Sequence, residues 1–179
     1  MLLNDLDHKK ILNYIRELLK ARLTGGPEPS LELSREVMEQ KRGIFVTLKI
    51  HGRLRGCIGH IFGCAPLKKS IRDVALAAAF KDTRFPPLTL NELQSLEIHV
   101  SILTEPVPVK SYKDIRTGTD GIIVTLGWKK GVYLPEVATE TGWDAKIFFE
   151  SCALEKAGLT GEEFPEAVIE VFQTEGFGD

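Results

Sequence analysis

Strict alternation of aliphatic with other side chains over residues 44–50 is the feature that most narrows the possible fold. The segment IFVTLKI places an aliphatic side chain at every second position, which is the period of a β-strand with one buried face. A turn signal at His51 and Gly52 follows, and then a second extended segment, RLRGCIG. The two segments predict an antiparallel β-hairpin that pairs Val46 with Ile58.

The connection of this hairpin decides which side chains are buried. A two-residue turn would bury Arg55 on the aliphatic face, so we predict a three-residue connection, His51–Arg53, which pairs Ile50 with Leu54. Arg55 and Cys57 then share the opposite face. The glycines of this second strand indicate a bulge or a close backbone approach.

Helical periodicity and capping residues predict the helices of the chain. Apolar residues three or four positions apart define one helical face, and Asn, Asp, Thr or Pro precede several such segments. The predicted helices are a first one around 11–19 capped by Asn4 or Asp5, then 66–81, a short helix 89–96, a helical turn at Pro135, and 144–157. The remaining predicted strands are 97–102, 121–126, 132–134, with a turn over 128–131, and 167–172.

The order of these elements predicts the fold class. Strands and helices do not alternate regularly, as they would in a doubly wound parallel sheet, so we predict an α+β fold with a mostly antiparallel sheet and packed helices. No internal repeat or hinge-like linker divides the 179 residues. We therefore expect a single domain over residues 1–179, with a smaller lobe possible in the second half.

Composition excludes several classes of protein. No apolar run approaches the roughly 18 residues of a membrane span, and three scattered cysteines form no disulfide framework. We expect a cytoplasmic protein that does not bind a membrane. The net charge of −2 and the lack of a motif that combines basic and aromatic residues argue against nucleic acid.

Charge is unevenly distributed along the chain. Between Lys41 and Arg84 ten bases face only two acids, whereas the segment from Glu136 to Asp179 is strongly acidic. Two interpretations stay open. The segments pack against each other and neutralise their charges, or the basic segment forms an anion-binding surface.

Cys57 is the candidate nucleophile. Arg55 lies two residues away and shares its face in a strand, and a neighbouring guanidinium stabilises a thiolate. A histidine such as His51, His60 or His99 could supply a base. The competing interpretation is a small, inert thiol that serves only packing, because cysteine is often buried.

Two further patterns carry weaker chemical signals. Cys57, His60 and Cys64 have the spacing of part of a soft-metal site, but a structural zinc needs a fourth ligand, so we predict no metal and no cofactor. Glu97 and His99 share one face of a strand and are secondary candidates for a base and its orienting partner, or else a solvated polar edge.

Several motifs in order resemble those of the AMMECR-one domain family. They are LRGCIG (54–59), KDTRFPPL (81–88), LEIHVSILTEP (96–106), VYLPEVATETGWD (132–144) and CALEKAGL (152–159). The resemblance covers about residues 43–172. It implies a larger α+β lobe with a smaller one packed on it. It also implies a site composed of Arg55, Gly56, Cys57, Gly59, Lys81, Asp82, Arg84 and Phe85.

The resemblance also implies partners. The family resembles component A of the AmmeMemoRadiSam system, which implies a Memo-like protein and a radical SAM enzyme as partners. Two functional hypotheses follow. The chain is an enzyme component that binds a small anionic or nucleotide-like substrate near LRGCIG, or it is a non-catalytic module that presents LRGCIG and KDTRFPPL to another protein.

Overall fold

A computed structural model describes residues 3–179, which form two compact units. The first unit runs to Leu103 and also contains Glu175–Asp179, and the second is Thr104–Thr174. The regular elements are α1 (Asp5–Thr24), α2 (Arg35–Met38), β1 (Ile44–Ile50), β2 (Arg53–His60), α3 (Leu67–Phe80), β3 (Leu96–Leu103), β4 (Val107–Val109), β5 (Gly121–Leu126), β6 (Lys129–Tyr133), α4 (Pro135–Thr141), α5 (Ala145–Ser151), β7 (Val168–Phe172) and β8 (Thr174–Gly178).

The first unit contains a four-stranded sheet in the order β2-β1-β3-β8. The alternating aliphatic side chains of β1 and β3 are buried beneath the apolar faces of α1 and α3, except Ile50, which is partly buried. Asn4 caps α1 in a reciprocal capping box with Asp7, and Gly25 ends the helix at a φ of 73°, a conformation that favours glycine. The predicted strand and both long helices are confirmed here.

The β1–β2 hairpin differs from the prediction near its turn. The connection has two residues, His51 and Gly52, both with positive φ, so Ile50 pairs with Arg53 and not with Leu54. A β-bulge then absorbs one residue, and the register beyond it pairs Val46 with Ile58 as predicted. The predicted connection was wrong because the sequence supports two registers, and only a bulge at Arg55 reconciles a tight turn with buried aliphatic side chains.

The second unit contains a second four-stranded sheet, in the order β4-β7-β5-β6. Its β4–β7, β5–β7 and β5–β6 pairs are antiparallel. Pro135 opens α4 and Asp144 caps α5, as predicted. Together with the first sheet, these elements confirm the α+β class, while the single-domain assignment stays a prediction.

Some elements of the fold depart from the sequence prediction. The β5–β6 turn lies at Gly127 and Trp128 rather than over 128–131, because Gly127 adopts a φ of 58°. The helix from Asp144 ends in a π-helical turn, Cys152–Lys156, and the segment Asn91–Ser95 is a 3₁₀ helix. Strands β4 and β8 were not predicted, since prolines flank or interrupt the first and glycines the second.

The helices of residues 3–179 are all too short or too polar to cross a lipid bilayer.

Candidate functional site

Cys57 lies on β2, the outermost strand of the first sheet, and its outward main chain is held by two charged side chains. Its N–H donates to Oδ2 of Asp82 at 2.8 Å, and its C=O accepts from Nη2 of Arg84 at 3.1 Å. Both groups would otherwise be unpaired at a sheet edge. The LRGCIG strand and the KDTRFPPL turn are therefore hydrogen-bonded to each other.

The Asp82–Arg84 ion pair is bidentate. Nε and Nη2 of Arg84 donate to the two carboxylate oxygens at 2.9 and 2.7 Å. These bonds, together with the Cys57 N–H, hold the pKa of Asp82 far below its usual range, so the carboxylate stays ionised. The guanidinium also lies 5.6 Å from the ring centre of Phe85. Asp82 is buried while Arg84 is exposed, so the pair turns its cationic side to solvent.

Arg55 occupies the bulge and points to a different acid. Nε and Nη2 donate to the carboxylate of Glu92 at 2.7 and 3.2 Å, and Nη2 also reaches the carbonyl of Pro87. Glu92, with Arg55 as the main cause, has its pKa lowered to about 2. The guanidinium that contacts the main chain of Cys57 is therefore that of Arg84. Sequence analysis placed Arg55 beside the Cys57 thiol because it treated β2 as a regular strand, in which residues 55 and 57 share a face.

The sulfur of Cys57 is half-buried and contacts a hydroxyl. Sγ lies 3.2 Å from Oγ1 of Thr47, its cross-strand partner on β1. Because the Cys57 main chain points away from β1, this is a non-hydrogen-bonded pair, in which side chains approach most closely. The predicted pairing of Val46 with Ile58 already implies that Thr47 lies opposite Cys57, but sequence analysis gave the threonine no role.

The secondary candidates lie on the same sheet face. His99 pairs with Thr47 across β3 and β1, so Cys57, Thr47 and His99 form a row across three strands. Glu97 accepts a hydrogen bond from the N–H of Gly52 at 3.0 Å. His99 therefore lies on the same sheet face as Cys57, but Thr47 on β1 lies between the two residues.

Two glycines of LRGCIG have steric roles. A Cβ on Gly56 would lie 2.2 Å from the carbonyl oxygen of Ala78, so α3 packs directly on the strand. A Cβ on Gly59 would meet the ring of Phe45 at 2.2 Å. Both positions shape the sheet around Cys57, with Gly56 buried and Gly59 half-buried.

Five of the ten bases of the basic segment form ion pairs with acids within residues 3–179. Arg55 pairs with Glu92 and Arg84 with Asp82, while Arg42 reaches Glu175 in the acidic C-terminal segment at 3.8 Å. The predicted pairing between the two segments is represented by this last contact. Lys81 is exposed and has no ion pair among residues 3–179, which leaves it and the outer edge of Arg84 as the cationic groups of the site.

Cys57, His60 and Cys64, which have the spacing of part of a metal site, do not converge within residues 3–179. Within the described part of the chain, no three or more His, Cys, Asp or Glu side chains converge as metal ligands. Cys64 is exposed, and Nδ1 of His60 is buried without a hydrogen-bond partner. Cys152 is fully buried in the second unit, where burial raises its pKa to about 12.

Comparison with known proteins places these motifs in a family. The AMMECR1 family model matches residues 12–177. A Methanothermobacter thermautotrophicus protein is 45% identical over 79% of this chain and 78% of its own, and protein MJ0810 of Methanocaldococcus jannaschii is 36% identical over 92% and 85%. The crystal structure of protein PH0010 from Pyrococcus horikoshii superposes with a TM-score of 0.82 at 30% identity, covering 99% of this chain and 93% of that one. The chain belongs to the AMMECR1 family.

Proposed function

We propose that this protein is a cytosolic enzyme component that binds a small anionic or nucleotide-like substrate beside Arg84. The Cys57 thiol gives its proton to solvent, and its sulfur attacks an electrophilic carbon of the substrate and displaces a leaving group, which departs with the electron pair of the broken bond. The observation that supports it is the fixation of Cys57. Its N–H and C=O are both held, by Asp82 and Arg84, so its sulfur is presented at a defined position. A preorganised nucleophile is what covalent catalysis needs.

Arg84 supplies the recognition of an anion in this proposal. Its Nε and Nη2 are occupied by Asp82 and Cys57, whereas Nη1 makes no hydrogen bond within residues 3–179. Two donors therefore remain for a substrate oxygen, as in other guanidinium–oxyanion contacts. The Thr47 hydroxyl, 3.2 Å from Sγ, can donate to the sulfur once the thiol has lost its proton.

Alkylation of the three cysteines tests the mechanism. With iodoacetamide at neutral pH, we expect Cys57 to react about tenfold faster than a small reference thiol, an effect of the size seen for activated cysteines. Cys152 should react only after unfolding, which provides an internal control for the folded state. Arg84→Gln should remove the advantage of Cys57, and Arg53→Gln, at an exposed position of the same strand, should keep it. A rate at or below that of the reference thiol, with full function in Cys57→Ser, would exclude covalent catalysis.

A second candidate is a non-catalytic module that binds a Memo-like protein and a radical SAM enzyme. The reciprocal contacts of Arg55 and Arg84 make LRGCIG and KDTRFPPL one rigid surface, with Leu54 42% exposed on it. In that case co-purification with the two partners is lost in Arg55→Ala and Phe85→Ala and kept in Cys57→Ser. Retention of the partners in all three variants would count against the module.

A further inference from the structure

A cavity of about 440 Å³ opens at the first turn of α3, away from the candidate thiol site. α3 is 14 residues long, so its first turn lies about 20 Å from the Lys81–Arg84 turn at its other end. The cavity is an independent feature, and nothing inferred from it depends on the proposed function. The polar residues that line the cavity are Tyr14, Glu28, Ser30, Glu39, Lys68, Lys69 and Arg72.

The start of α3 lacks the groups that normally satisfy a helix N-terminus. Pro66 is its cap and offers no side-chain acceptor. The N–H of Leu67 donates to the carbonyl of Gln40 at 2.8 Å, but those of Lys68 and Lys69 have no acceptor among residues 3–179. Two main-chain donors are therefore available where the partial positive charge of the helix is concentrated.

The side-chain charges in this turn add to that positive potential. The first turn contains no acid, although Asp and Glu are the residues that stabilise this position. It carries Lys68 and Lys69 instead. Lys69 is neutralised by Asp73 at 2.6 Å, while Lys68 is exposed and forms no ion pair within the described residues. Such a local violation of helix electrostatics is the kind that functional sites show.

Tyr14 gives an independent indication of a ligand. Its side chain is only 5% exposed, yet its hydroxyl makes no hydrogen bond within residues 3–179, and the residue lines the cavity. Burial, with Glu28 nearby, raises the pKa of Tyr14, so the hydroxyl keeps its proton and remains a donor. The hydroxyl oxygen is reached by solvent from the open cavity, so it is an unused donor that an acceptor bound in the cavity can take up.

Two lining residues limit what the cavity accepts. Arg72 donates from each of its nitrogens to Glu28 or Asp73, with distances of 2.6 to 2.9 Å, so these two acids balance its charge. Glu39 is exposed and has no ion pair among the described residues, so it repels an anion from one side. The ligand must therefore contact the donors at the helix start.

We propose that this cavity binds a phosphomonoester of a small soluble molecule. The phosphate accepts hydrogen bonds from the N–H groups of Lys68 and Lys69, from the Lys68 ammonium and from the Tyr14 hydroxyl. Its three terminal oxygens match this set of donors, whereas a carboxylate offers only two oxygens. The remaining volume accommodates the organic part of the ligand.

NMR titration of the ¹⁵N-labelled full chain with glycerol 3-phosphate tests the proposal. We expect saturable shifts of the Lys68 and Lys69 amide signals. Tyr14→Phe, which removes only the hydroxyl, should weaken binding about tenfold, the value of a hydrogen bond to a charged group. Lys68→Gln should weaken it several-fold, and Glu39→Gln should strengthen it because a repulsive charge is lost.

Matched controls separate this site from general electrostatics. Lys9→Gln, an exposed lysine on α1 outside the cavity, should bind as tightly as the wild type. Inorganic phosphate should shift the same amides. If these amides do not shift, or if Tyr14→Phe and Lys68→Gln bind like Lys9→Gln, the site does not exist. Binding to vesicles of phosphatidic acid in phosphatidylcholine, with no shift by glycerol 3-phosphate, would overturn the assignment to a soluble ester.

Discussion

At the scale of single residues, main-chain contacts decide the role of the LRGCIG motif more than side-chain chemistry does. Asp82 and Arg84 each bind the main chain of Cys57, and a Cβ at Gly56 would collide with the main chain of Ala78. A sequence motif dominated by such contacts is intolerant of substitution even where it does not touch a substrate. Chemistry at Cys57 has to be distinguished from this packing role by experiment.

Substitution of Gly56 measures the packing role directly. Because the added methyl group would lie 2.2 Å from the Ala78 carbonyl oxygen, Gly56→Ala forces α3 away from β2, and we expect a loss of about 1–3 kcal/mol in the free energy of unfolding. Urea denaturation gives this value. Gly161→Ala is the matched control, since a Cβ there meets no atom within 4 Å, and it should change stability by less than about 0.5 kcal/mol. Equal effects of the two variants would contradict the close contact.

At the scale of elements, two arginines hold the segment between α3 and β3 against the sheet edge. One reaches from the sheet to the segment, and the other reaches from the segment to the sheet. Arg55 reaches from β2 to Glu92 and to the carbonyl of Pro87, and Arg84 reaches back to the carbonyl of Cys57. The adjacent prolines stiffen the segment between these anchors. The bulge in β2 is what allows Arg55 to leave the face of Cys57.

A double-mutant cycle on Arg55 and Glu92 tests this anchor. The side chains are only 11% and 29% exposed and share two hydrogen bonds, so we expect a coupling free energy of about 1–2 kcal/mol from Arg55→Met and Glu92→Gln. The pair Lys69–Asp73 is the control, at 66% and 42% exposed. Its coupling should stay below about 0.5 kcal/mol. An Arg55–Glu92 coupling no larger than that of the control would show that the anchor is dispensable.

At the scale of the whole molecule, ionised carboxylates held by bases contribute to the stability of both units. Several acids have a lowered pKa because a lysine or arginine side chain donates to them. They are Glu28, Asp73, Asp82, Glu92 and Glu163. Each of these acids binds protons less readily in the folded than in the unfolded chain. Its contribution to the free energy of unfolding is therefore present above the unfolded pKa and is lost as the pH falls through the folded pKa.

Acid titration of stability checks this behaviour. The free energy of unfolding should fall steadily from about pH 4.5 towards pH 2, the window between the ordinary pKa of a glutamate and the value of about 2 for Glu92. Glu92→Gln should flatten the slope by up to one proton, and Arg55→Met should flatten it similarly by removing the main cause of the shift. Urea denaturation at a series of pH values measures the slope. A slope unchanged in both variants would refute the linkage.

Periodicity and capping residues predicted most of the regular structure because they are local signals. The aliphatic alternation of β1, the face of α1, Pro135 at the start of α4 and Asp144 at the cap of α5 all appear where the sequence indicates them. The resemblance to the family also pointed to the two segments that meet at Cys57. Strands β4 and β8 were missed since proline and glycine weaken the strand signal, and only pairing with neighbouring strands stabilises them.

The sequence by itself determined the fold class and the family, and its resemblance to that family pointed to Asp82 and Arg84, which contact the main chain of Cys57. Only the tertiary structure decided which arginine contacts Cys57, because a bulge of one residue turns the Arg55 side chain towards Glu92. The partner of each charge was likewise decided by folding. Glu92 is separated from Arg55 by 37 positions, and no local pattern encodes a contact over that distance.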